Sequence, residues 1–154
     1  EALKEAALAA PTARNRQQLR YSFVANRAIL DAIDSRIFHF CDPQMKTTMD
    51  ERESTSFFYG APLAVFITGQ DEIWTPIDAG IAVQTLAIAA QSMGLSSVIL
   101  GYPRLAFKPD DPDNCGQLIG MEEGEVFNIA IAIGHAATRK EPHTSDPAHI
   151  RVFD

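Results

Sequence analysis

Four arginines, Arg14, Arg16, Arg20 and Arg27, fall close together, and no acid occurs between Glu5 and Asp31. In a chain with a formal net charge of -7, such an island is a candidate anion site. A phosphate group would suit it, because guanidinium offers phosphate oxygens a fixed fork of donors. The alternative is a solvated face balanced by acids elsewhere in the fold, the usual fate of a charge run. Other chemistry is sparse. His39, His135, His143 and His149 have no ligand-like spacing with carboxylates or cysteines, and Cys41 and Cys115 form neither a metal-ligand pair nor a disulfide framework. No Gly-x-Gly-x-x-Gly, Walker loop, Gly-x-Ser-x-Gly elbow or His-Glu-x-x-His occurs. No metal site is therefore expected. The acidic balance argues against non-specific nucleic-acid binding. Free thiols and the lack of a visible signal peptide lead to an expected cytoplasmic location.

The stretch from Thr75 to Gly101 must organise whatever positions these residues. Thr75 can cap a helix, Pro76 suits its first turn, and Asp78 sits at the positive end of its dipole. Gly94 can end it in a left-handed conformation, with Leu95 packing back on the last turn. Between these signals Ala79, Ile81, Ala82, Val83, Leu86, Ala87, Ile88, Ala89, Ala90 and Met93 leave only a thin polar strip of Gln84, Thr85, Gln91 and Ser92. A surface helix shows one apolar stripe, so a helix apolar over most of its circumference needs a second burying surface. That surface is either the core of a monomer or a second subunit, and a homodimer interface is the reading adopted here. The run is too short and too polar for a membrane span.

Residues 1–10 have helical spacing and stop at Pro11. Residues 12–18 are too polar for a core element and form a loop. Residues 19–24 alternate as a strand with Leu19, Tyr21 and Phe23 inward. Asn26 can cap a short helix over 27–34. Residues 37–56 are the least regular part and resemble a lid or mobile segment. Residues 63–68 form a continuous apolar strand covered on both faces. Strands at 97–100 and 125–133 follow, with a loop at 102–111 and a short helix at 112–119. From Ala136 the chain turns polar, an extended tail over 136–154. All 154 residues fit one domain, with helices on both faces of one mixed sheet. The chain opens on Glu1 inside what already reads as a helix, so residues before Glu1 are expected to be missing.

Several blocks resemble the nitroreductase family of FMN-dependent NAD(P)H oxidoreductases. Ala10-Pro11-Thr12-Ala13-Arg14-Asn15-Arg16-Gln17 is similar to the family's Ala-Pro-Ser-Ala-x-Asn-x-Gln loop. Gly60-Ala61-Pro62 with the strand after it looks like a second block. Asp78-Ala79-Gly80 with Gln84, then Ala89-Ala90, Met93-Gly94-Leu95-Ser96-Ser97 and Leu100-Gly101, is similar to the central helix and following strand. Gly120-Met121 through Gly124, then Ile131-Ala132-Ile133-Gly134-His135, resembles the last block. The blocks fall in the family's order over nearly the whole chain. Gln18-Leu19 departs from the frequent Pro-Trp, and Thr12 replaces serine.

The resemblance implies an α+β three-layer sandwich, a mixed but mostly antiparallel sheet with helices on both faces, built as an intertwined homodimer with FMN at each end of the interface. It implies that Pro11, Thr12, Ala13, Arg14, Asn15 and Gln17 reach the flavin of the other subunit, with Arg14 or Arg16 near the phosphate. It places the Ile99, Leu100, Gly101 turn against the flavin ring. Lys140 and His143, with Arg139, are the tail groups available for the phosphate. The family's arginine-rich phosphate segment precedes the first helix and is expected to be missing here. Chemistry would come from the flavin: hydride from NADH or NADPH passes through N5 to an electron-poor small molecule such as a nitroaromatic or quinone. Phe57, Phe58, Tyr59 and Trp74 are candidates for the pocket wall, with core packing favoured for Phe57 or Phe58. A non-catalytic dimeric flavin-binding or scaffold relative is the alternative function. A monomeric module binding another phosphorylated ligand through Arg14, Arg16 and Arg20 is a third.

Overall fold

Successive side chains of a strand point to opposite faces, so a strand apolar at every position must be covered twice. Residues 63–67 of β2 (Leu63–Gln70) and 129–133 of β4 (Glu125–Gly134) meet this condition. In a computed structural model describing residues 1–153, Ala64, Phe66, Ala130 and Ala132 face one hydrophobic core, and Val65, Ile67, Ile131 and Ile133 face another. The edge strands are β1 (Arg20–Val24) and β3 (Ser96–Leu100), in the order β1-β2-β4-β3. All pairings among the described residues are antiparallel, so the parallel pair that a mixed sheet needs is not found within this chain.

Helices α1 (Ala2–Ala9) and α4 (Thr75–Ser92) cover the second face, through Leu3 and Ala7 and through Ala79, Ala82, Val83, Leu86 and Ala90. The first face is covered by α2 (Arg27–Phe40), with α3 (Pro43–Glu51) adding Met49 to that core. The result is the three-layer α+β sandwich expected from the sequence.

Four local expectations need correction. Helix α2 does not stop near residue 34: Leu30, Ile33 and Ile37 share a buried face, and that spacing carries the helix to Phe40. Residues 43–51 are not irregular. Asp42 accepts the Met45 N–H at 2.8 Å, Pro43 fills the first turn, and a third helix forms. Residues 112–119 hold only a short 3₁₀ turn at Gly116–Ile119, and Tyr102–Phe107, expected as loop, is likewise 3₁₀.

Helix α4 starts and ends close to expectation. Thr75 is its first residue rather than its cap, which is Trp74, and no side chain caps it. Gly94 takes φ +74°, and Leu95 N–H returns to Ala90 O at 3.0 Å, closing the last turn. The helix is not enclosed by its own chain. Ile77, Ile81 and Ile88 are 54%, 40% and 61% exposed, on a stripe that also carries Gly80, Gln84 and Gln91. No helix among the described residues is long and apolar enough to cross a membrane. After Gly134 the tail forms only the 3₁₀ turn Pro147–His149 and leaves Ile150, Val152 and Phe153 exposed.

Candidate functional site

The polar loop after α1 is built against the sterics of its own residues. Arg14, Asn15 and Gln17 all take left-handed backbone angles, φ 55°, 55° and 53°. Each non-glycine residue there costs about 1–3 kcal/mol and persists only where surroundings enforce it. Asn15 N–H donates to Thr12 O and Gln17 N–H to Thr12 Oγ1, both at 2.9 Å. The Gln17 side-chain amide donates to Asn15 Oδ1 at 3.0 Å. Ala13 N–H donates to Asp78 Oδ1 at 2.9 Å, tying the loop to the first turn of α4. The side chains of Arg14, Asn15 and Gln17 are left exposed.

The basic island resolves mostly as the balanced face. Arg16 pairs with Glu72, Arg20 lies 3.6 Å from Glu125, and Arg27 lies 2.8 Å from Asp31. Of the four, only Arg14 has no acidic partner among the described residues.

The second segment closes the edge strand β3. Ile99 and Gly101 are exposed and Leu100 is buried. A Cβ added at Gly101 would meet nothing within 4 Å, so the main chain there faces open space. The next residue fixes the turn: the Tyr102 ring stacks on Phe57 at 5.5 Å and its hydroxyl donates to Asp42 Oδ2 at 3.3 Å. Burial, and then the Asp42 charge, push the Tyr102 phenol above its usual range. Beneath Phe57, the buried Asp34 carboxylate accepts the Phe57 N–H at 2.8 Å while its other oxygen has no partner. Burial pushes Asp34 above the usual carboxylate range, against the hydrogen bonds from Ser56 and Phe57.

The loop leads into β1, whose Arg20 pairs with Thr68 near the end of β2, whereas the turn follows Leu100, which pairs with Ala130 at the opposite edge of the sheet. No hydrogen bond or ion pair joins them among the described residues. Two surface hollows, about 480 and 360 Å³, are lined by other residues, one beside β1 and one between Phe107 and Glu125. Lys140 and His143 stand exposed on the tail, with no hydrogen bond or ion pair to either segment. Among the pocket-wall candidates, Phe57 and Phe58 are core residues, whereas Tyr59 and Trp74 reach solvent. No metal-holding group of histidines, cysteines and acids exists among the described residues. Sequence reasoning read Asp78 as a helix-dipole residue and as part of the block resembling the central helix, and did not foresee its bond to the loop. That bond spans 65 positions and left no local signal.

Residues 1–135 match the profile described as the nitroreductase family. The chain belongs to that family. The fold agrees: a nitroreductase with bound FMN from Desulfitobacterium hafniense superposes with a TM-score of 0.88 at 29% identity, covering 99% of this chain and 85% of that one. An FMN-bound nitroreductase from Bacteroides fragilis shares the fold at a TM-score of 0.85 and 21% identity, over 99% and 85% of the two chains. An NADPH-flavin oxidoreductase from Vibrio harveyi is 31% identical over 78 residues. That match spans 51% of this nitroreductase-family chain but only 30% of the Vibrio protein.

The residues present fit a flavin mononucleotide. The loop offers neutral amides from Asn15 and Gln17 and the unpaired Arg14 guanidinium, with no acid between Pro11 and Gln17. Amides suit hydroxyls and ring heteroatoms, a guanidinium suits phosphate, and the open main chain at Gly101 suits a flat ring.

Proposed function

We propose that this chain is an FMN-dependent oxidoreductase acting as a homodimer in the cytoplasm. It would take electrons from NADH or NADPH and pass them to an electron-poor small molecule such as a nitroaromatic or quinone. The observation that carries the reading is the likeness to the FMN-bound Desulfitobacterium protein over 99% of the chain at 29% identity. The buried free thiols Cys41 and Cys115 support a reducing compartment.

When bound, FMN supplies hydride transfer at its N5 atom. The chain's own residues do the rest. In this reading Thr12, Asn15 and Gln17 orient the cofactor through hydroxyl and amide groups, with Pro11 and Ala13 shaping the loop. Arg14 neutralises phosphate charge, joined by Lys140 or His143 from the tail. The main chain at Ile99, Leu100 and Gly101 lies against the ring, where an N–H can stabilise developing negative charge. Neither loop nor turn makes a closed pocket in one chain. A second copy seated on the α4 stripe supplies the missing wall, with the loop of one subunit facing the turn of the other.

The test is absorbance of the purified protein at neutral pH, alone and after adding FMN. Flavin bands that bleach with NADH or NADPH, in a particle of twice the chain mass, support the proposal. A colourless protein that takes up no added FMN contradicts it. Flavin bands that never bleach would indicate a flavin-binding relative without turnover.

A further inference from the structure

We infer that Asp78 is a positioning residue for the flavin loop, holding residues 13–17 in their left-handed shape from the first turn of α4. The inference rests on the flavin reading above and adds to it a residue outside the loop and the turn. Asp78 is 2% exposed. A carboxylate so placed is costly unless hydrogen-bonded. An acid in a first helical turn commonly accepts from its own helix, but α4 has no side-chain cap bond. Instead both oxygens turn to the preceding loop: Oδ1 accepts Ala13 N–H at 2.9 Å and Oδ2 accepts the Gln18 amide at 3.5 Å. Thus Asp78 grips the loop at both ends, one residue before Arg14 and one after Gln17.

Gln18 gives an independent sign of this grip. Its amide NH₂ faces Asp78 Oδ2 and Thr75 Oγ1, at 3.5 and 3.4 Å, while its Oε1 is buried with no partner. A buried orphan acceptor costs about 1–3 kcal/mol. An acceptor-only carboxylate explains the orientation, because it requires the NH₂ and not the oxygen of Gln18 to face it. The same turn of α4 carries Ile77 outward on the exposed stripe. Asp78 therefore connects the helix face proposed to meet a second copy with the loop proposed to reach that copy's flavin.

The experiment compares D78A and D78N with wild type and with R36A. Arg36 pairs with Asp111 on the opposite face of the sheet, so R36A is a control for lost stability alone. FMN affinity is titrated by quenching of flavin fluorescence, and amide exchange of Ala13 to Gln17 is followed without FMN. D78A should weaken FMN binding about 10- to 100-fold, the range for losing a charge-assisted bond, and should speed exchange at Ala13. D78N keeps an acceptor for Ala13 N–H but not the charge, so its affinity and its Ala13 exchange should fall between those of wild type and D78A. R36A should lose stability but keep both loop protection and affinity. D78A with wild-type affinity and wild-type Ala13 protection overturns the inference, as does R36A weakening FMN equally at matched folded fraction. If wild type takes up no FMN, the flavin reading fails instead. Positioning by Asp78 then stands or falls on Ala13 exchange alone, fastest in D78A, slower in D78N and slowest in wild type if it is right.

Discussion

Replacing Ile88 by aspartate should separate folding from assembly. Ile88 is 61% exposed on the outer stripe of α4 and Leu86, two residues away, is fully buried, so position 88 contributes little to the chain's own core. Substitution at such an exposed site changes monomer stability by only about 0.5 kcal/mol. The dimer should respond very differently. Full burial of an isoleucine stabilises by about 1.5–3 kcal/mol, and roughly three-fifths of that remains available here because Ile88 is 61% exposed. Two copies lose about 2–4 kcal/mol together, before the added cost of desolvating two carboxylates of like charge. The dissociation constant should therefore rise at least about 30-fold. Sedimentation velocity over a concentration series reads this, and urea denaturation of the same samples reads the fold. Monomers with a near-wild-type unfolding midpoint at low concentration are expected, and FMN affinity should fall along with the dimer. An I88D protein with wild-type association would refute the assignment of this stripe to a subunit interface. A protein unfolded under all conditions would refute the claim that position 88 is outside the core.

Three further outcomes follow from particular residues. Asp34 has its carboxyl pKa raised above 3.8 by burial, so the folded state binds the proton more tightly than the unfolded state. Wild type should then lose stability relative to D34N as pH rises from below about 3.9 through the raised value, and denaturation at pH 3 and pH 7 should show the gap only at the higher pH; an equal gap at both would refute the assignment. Leu86→Ala should destabilise the chain by about 3 kcal/mol, because Leu86 is wholly enclosed between α4 and the sheet, and a loss under about 1 kcal/mol would contradict that packing. Arg14→Gln should weaken FMN binding about tenfold, with the difference shrinking in high salt, whereas Arg16→Gln should have less effect because Arg16 already faces Glu72; equal effects would deny Arg14 its special position.

The sheet was readable because its signals are local. Residues 63–67 and 129–133 are apolar at every position, which only a doubly covered strand requires. The apolar excess around α4 was readable for the same reason, but it left open whether Ile77, Ile81 and Ile88 meet the chain's own core or a second subunit; the fold leaves all three exposed. Helix α3 was missed because it buries only Met49 and leaves a mostly polar surface, so the periodic signal is one residue deep. Its real signature was Asp42-Pro43, a cap followed by a first-turn proline, and this was outweighed by composition. The loop was located from its polarity and given a cofactor role by resemblance, but its left-handed shape was not foreseen, because arginine and glutamine give no local hint of positive φ. Nor could the sequence show which arginines were occupied: Glu72 and Glu125 reach Arg16 and Arg20 only once the sheet and α4 are assembled.

The central claim is that two copies meeting through α4 complete a flavin site. Sedimentation of the purified chain with added FMN, monitored at flavin wavelengths, tests it most directly. Flavin absorbance should travel with a dimer at one FMN per chain, and in I88D both the dimer and the bound flavin should be lost at low chain concentration. Flavin carried by a wild-type monomer, or a wild-type dimer that leaves all FMN behind, would contradict it.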